Sequence, residues 1–150
     1  MARGTVRRWN VVVGLVGPDD VKTLQTKVHD YRSALQASVD AAAGTPAALP
    51  TDGSKWSIQA WGDLVGRCVE FEGRSTNWVN PFSHLYAGAA YDEGRSLITE
   101  LDAWRDELET RKAPKVPAPV PIPQTDLGLA GGIGLALAAV VAILALRELH

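Results

Sequence analysis

"GPDDVKTLQTKVHDYRSALQASVDAAAGTP", residues 17–46, is the stretch on which the fold turns. Within it Val21, Leu24, Val28, Tyr31, Leu35 and Ala42 recur at alternating steps of three and four, with Val39 standing in where Ser38 interrupts the series. Side chains spaced in this way return to one side of an α-helix, so the pattern predicts a helix with a single apolar seam that must be buried against a neighbour. Pro18 suits the first turn, where its missing N–H is not needed, and Asp19 and Asp20 complement the positive end of the helix dipole. Gly44, Thr45 and Pro46 end the helix, and "GTPAALPTDG" reads as a loop.

Working outward, a second helix is expected from Ser54, as its N-cap, to about Glu72, just before Gly73. Ile58, Trp61, Leu64, Val65, Cys68 and Phe71 give it an apolar face, with Asp63, Arg67 and Glu70 on the other side. Gly62 and Gly66 each weaken a helix by roughly 1 kcal/mol relative to alanine, which points to close approach of a neighbouring backbone there. After the turn-rich "GRSTNWVNPF", Ser83 is the expected cap of a third helix reaching about Lys112. Ala90, Gly94, Leu97, Leu101, Trp104 and Leu108 form its stripe, Glu107 and Arg111 make a favourable pair on its exposed side, and Pro114 stops it. Three amphipathic helices joined by loops predict an all-α fold, a small three-helix bundle.

Beyond the bundle the composition changes. Prolines at 114, 117, 119, 121 and 123 alternate with small apolar residues, predicting a polyproline II strap that reaches on the order of 30 Å. No arginine or aromatic residue flanks the prolines as a docking motif requires, so the strap reads as a spacer and not as a ligand for a proline-binding groove. Leu127 to Leu146 then carry no charge and no proline. About 20 apolar residues are what a bilayer core requires, so this segment is expected to be a transmembrane helix.

Because only four residues follow the span, insertion is expected to be post-translational, as for a tail anchor. Arg111, Lys112 and Lys115 on the N-terminal side against Arg147 on the other favour a cytoplasmic N-terminal domain. The chain therefore divides into an N-terminal arm (1–17), the bundle (18–112), the Pro-rich linker (113–125), the transmembrane helix (126–147) and a tail (148–150).

A formal net charge of −2 without any long basic stripe gives no indication of nucleic-acid binding. The basic cluster Arg3, Arg7 and Arg8, beside Trp9, is a candidate contact for lipid headgroups or another acidic partner. The apolar run that follows is too short for a signal peptide, and "GPDD" replaces a cleavage site, so the arm is read as retained. Cys68 is the only cysteine, which excludes an internal disulfide and a thiol-rich metal site, and it reads as a small buried apolar residue.

His29, His84 and His150 are dispersed, and neither Asp92 with Glu93 nor Asp106 with Glu107 shares one helix face. "GGIG" lies in the apolar span with no Lys or Ser/Thr after it, unlike a phosphate loop. Neither a catalytic site nor a cofactor or metal is expected.

Five tryptophans are the less ordinary signal. Trp61 and Trp104 fall on inward stripes and belong to the core. Trp9, Trp56 and Trp78 are not accounted for by helical periodicity. Trp78, Phe82 and Tyr86 cluster around one connector and form the candidate partner contact. In the anchor, Gly128, Gly132 and Ala136 repeat at four-residue steps, a spacing that allows helices to approach and the chain to self-associate. The expected function is that of a single-pass, C-terminally anchored structural or adaptor protein of a membrane-associated assembly, a virion membrane being one such setting. The partners are then a lipid bilayer, a protein and a second copy of the chain. A holin-like membrane-permeabilising protein is the alternative, and an enzyme lacking a recognisable motif the third.

Overall fold

The computed structural model describes residues 16–76 and 83–122. These residues form three helices and no strands: α1 (Pro18–Ala42), α2 (Ile58–Glu72) and α3 (Ser83–Thr110). The expected transmembrane helix, the basic arm and the side chains of Trp78 and Phe82 lie outside the described residues. Among the described residues no helix is long and apolar enough to cross a membrane.

α1 is the spine of the bundle. It packs more extensively on α3 than on α2, and α2 and α3 touch each other least. Its expected seam is buried throughout: Val21, Leu24, Val28, Tyr31, Leu35, Val39 and Ala42 are all nearly inaccessible. Each fully buried large side chain contributes roughly 1.5–3 kcal/mol, so this seam and the α3 face carrying Tyr91, Ile98, Leu101 and Leu108 together make up most of the core. Pro18 occupies the first turn, and Asp20 Oδ2 accepts the Gly17 N–H at 2.8 Å. Glycine has no side chain to return that bond, so only half of a capping box is made. Gly44, at φ +75°, turns the chain out of α1 in the left-handed region that favours glycine.

α2 begins three residues later than its sequence suggests. Ser57, not Ser54, is the N-cap, its Oγ accepting the Ala60 N–H at 3.2 Å. Ser54 instead donates its N–H to Asp52 Oδ1 at 2.9 Å, and Ile58 N–H is held by Pro50 O at 2.9 Å. The loop thus competes for these residues, and buried Ala47 and Leu49 fix it against the bundle. Trp61, Leu64, Cys68 and Phe71 are buried as expected, whereas Ile58 is 40% exposed and lies outside the core.

The glycines exchange roles relative to expectation. A Cβ at Gly62 or Gly66 would meet nothing within 4 Å, so no backbone approaches α2 at either position. The close approach is at Gly94 of α3, against Leu24 of α1 and Phe71 of α2. Cross-helix pairs fix the directions: Gln36 with Trp61 and Gln25 with the end of α2 make α1 and α2 antiparallel, and Leu24 with Gly94 followed by Tyr31 with Asp102 sets α3 parallel to α1.

α3 ends at Thr110, slightly short of the expected Lys112, in two reverse hydrogen bonds: Lys112 N–H to Glu109 O at 2.9 Å and Ala113 N–H to Leu108 O at 2.9 Å. This is a Schellman motif, with Lys112 at φ 60° where glycine is usual and with Ala113 buried over Leu108. Residues 116–122 have no regular secondary structure.

Candidate functional site

The loose α2–α3 seam opens a groove on the side away from α1, with a cavity of ≈ 350 Å³. Its geometry begins in the loop before α2. Hydrogen bonds from Ser54 hold the Asp52 carboxyl below its usual range and, with Gly53 at φ +72°, turn the chain. A further bond from Ser57 N–H to Ser54 O at 3.1 Å delivers Lys55 and Trp56 to the mouth of the groove. The Lys55 ammonium lies 4.6 Å from the centre of the Trp56 ring.

Trp104 is the floor at that end. The Trp56 ring stands edge-on to it at 4.9 Å and the Trp61 ring at 5.3 Å, both in the T-shaped arrangement that aromatic quadrupoles favour. Trp61 is itself fixed by donating Nε1–H to Gln36 Oε1 of α1 at 2.8 Å. Trp61 and Trp104 are therefore buried, while Trp56 is half-buried and forms part of the wall. Ala60 and Ala103 contribute only short side chains to the two walls, and Leu64 continues the apolar floor. At the far end Arg67 of α2 reaches across to Glu100 of α3 in a bidentate pair of 2.8 and 2.5 Å, which holds the guanidinium charged.

A second depression, lined by Lys22, Gln25, Thr26, His29 and Glu72, is polar, but its groups are already engaged by structural partners, most of them outside the depression. Gln25 Nε2 donates to Phe71 O at 2.8 Å and to Arg74 O at 2.9 Å, capping the end of α2. Glu72 receives Arg32 Nε at 2.7 Å and lies 2.9 Å from His29 Nδ1. Burial pushes the Glu72 carboxyl up, but Arg32 and His29 together outweigh it and hold the group below its usual range. These contacts are structural ties between α1 and α2.

Most other residues with chemical potential are similarly committed. Cys68 is fully buried, and burial followed by the charge of Glu72 pushes its thiol up to about 12, so it is neither exposed nor activated. The Tyr31 hydroxyl donates to Asp102 Oδ1 at 2.5 Å, and burial together with that carboxylate raises its pKa. Asp92 is exposed, Glu93 pairs with Arg74, and Arg105 pairs with Asp106 and Glu109. The expected Glu107–Arg111 pair forms at 2.6 Å, but it is three-quarters buried, because Arg111 turns toward Ala48 of the first loop. Among the described residues no group of His, Cys, Asp or Glu is placed to hold a metal ion.

Of the partner-contact residues expected from sequence, Tyr86 is described, 56% exposed near the start of α3 and remote in sequence from the groove residues. Trp78, Phe82, the small-residue row Gly128, Gly132 and Ala136, and the basic cluster Arg3, Arg7 and Arg8 lie outside the described residues. The groove itself escaped sequence reading, although Trp56 was its trace: a large aromatic residue in a loop, off every helical stripe. Ala60 and Ala103 carry no such trace, because their short side chains matter only where two helices border the same space. No protein-family model, curated protein or solved structure matches this chain.

Proposed function

We propose that this chain is a single-pass, C-terminally anchored membrane protein whose three-helix domain serves as a structural or adaptor component of a membrane-associated assembly, such as that of a virion membrane. The uncharged run from Leu127 to Leu146 is the anchor, and the Pro-rich linker is the spacer. The observation that carries the adaptor role is the α2–α3 groove: an apolar floor with a half-buried tryptophan and a lysine at its mouth, on a domain whose other polar clusters are occupied in holding helices together. Interfaces use such partly buried aromatic residues as anchors. Trp78, Phe82 and Tyr86 remain a proposed partner contact in their own right, and Gly128, Gly132 and Ala136 the proposed site of self-association.

The test is deletion of Leu127 to Leu146. The full chain should resist carbonate extraction from membranes, and the deleted form should be soluble with a helical circular dichroism spectrum. A deleted form that stays with the membrane, or is soluble but unfolded, refutes this architecture. Collapse of membrane potential on expression of the anchor alone would favour the holin-like alternative.

A further inference from the structure

We infer that the α2–α3 groove seats one amphipathic helix of a protein partner, with two turns of its apolar stripe between the helices and an acidic side chain directed to Lys55. This rests on the adaptor reading above and specifies the partner's chemistry. Shape is the first support. Ala60, Leu64 and Arg67 line α2 at helical spacing, and Thr99 with Ala103 lines α3. The groove therefore has two helical walls and lies where a fourth helix would complete a bundle. From Ala60 to Arg67 is about 10 Å at 1.5 Å per residue, the length of two helical turns.

Size and charge restrict the occupant further. A cavity of ≈ 350 Å³ floored by Leu64 and Trp104 accepts a pair of aliphatic side chains. The Arg67–Glu100 pair neutralises itself at one end. At the other end Lys55 is held over the Trp56 ring and has no carboxylate partner among the described residues. Among the residues that line the groove the unbalanced charge is thus the Lys55 ammonium at its mouth, which attracts an acidic side chain and repels a basic one.

The full chain in lipid nanodiscs should be titrated with two labelled synthetic helices that share an apolar stripe of leucines, one flanked by glutamate and the other by lysine. The acidic helix should bind roughly fivefold more tightly, as expected for a partly exposed charge contact. Lys55→Glu should reverse that preference. Ala103→Trp, at an exposed helix position, should fill the groove and abolish binding while the circular dichroism spectrum is retained; Thr99→Trp provides a second block.

Equal affinity for the two helices, or binding unchanged in both blocked variants, overturns the inference. So does binding that empty nanodiscs reproduce, which would make lipid the ligand, or self-association of the chain that Ala103→Trp abolishes, which would make a second copy the occupant. An acidic helix bound elsewhere on the domain removes the groove while leaving the adaptor function standing. Failure of carbonate resistance removes the membrane anchor whatever the helices do.

Discussion

Gly94 of α3 lies so close to Leu24 of α1 that a Cβ added to it would come within 2.5 Å of Leu24 Cδ2 and 2.6 Å of Phe71 Cζ on α2. Leu24 and Phe71 are both fully buried, so neither has free space into which to withdraw. All three helices meet at this position.

Gly94→Ala should therefore destabilise the domain. Overpacking of about 1–3 kcal/mol is set against roughly 1 kcal/mol gained in helix propensity, and because neither neighbour can withdraw the upper part of that range applies, for a net loss of up to about 2 kcal/mol. Gly62→Ala and Gly66→Ala, where a Cβ meets open space, should each stabilise by about 0.5–1 kcal/mol. Urea denaturation of the three variants reads these opposite signs directly. A stabilised Gly94→Ala would show that the helices are less tightly seated than described.

At the end of α3, Lys112 carries the positive φ of a Schellman motif whose second bond brings Ala113 over Leu108. Lys112→Gly should relieve the left-handed strain and raise stability by about 0.5–1 kcal/mol. Lys112→Val should do the reverse, because a β-branched residue tolerates this region poorly. Thermal melts of the pair would check both directions.

Glu72 ties α2 to Arg32 and His29 of α1, and its folded pKa lies below the ordinary carboxylate range. The unfolded chain therefore binds more protons than the folded one as pH falls below about 4.3. The stabilising contribution is complete above that value and is lost as pH falls through the lower folded pKa. Glu72→Gln should lower stability at neutral pH and flatten this acid limb, measured as the urea midpoint at a series of pH values.

Cys68 shifts in the opposite sense, its folded pKa being raised to about 12 by burial and then by Glu72. Thiolate forms first in the unfolded chain, near pH 8.5, so this group's contribution is complete below that value and is lost as pH rises toward the folded pKa. In native protein at pH 8 a thiol-specific reagent should react with Cys68 only through unfolding. The reaction should become immediate in denaturant. Rapid labelling of the native protein would place Cys68 outside the core.

The three helices and nearly all of the α1 seam follow from the order of residues, because a period of about 3.6 is a local property of the chain. The same locality let Trp61 and Trp104 be recognised as core residues before any packing was known. Positions whose role depends on another helix could not be read in this way. Gly62, Gly66 and Gly94 are alike as letters, and only the approach of Leu24 and Phe71 distinguishes the one that must remain glycine. Ser54 and Ser57 are both competent caps, and the choice fell to the loop, where Asp52 claims Ser54 and Pro50 fixes Ile58. Ser38, the polar break in the seam, is buried because its hydroxyl donates to Lys115 O at 2.8 Å, a partner far along the chain. The α2–α3 groove belongs wholly to the tertiary structure: its walls come from two separate helices and its charge from a lysine in a loop. Periodicity determines which face of a helix must be buried, but only packing in three dimensions decides how closely two helices meet, and therefore where space is left between them.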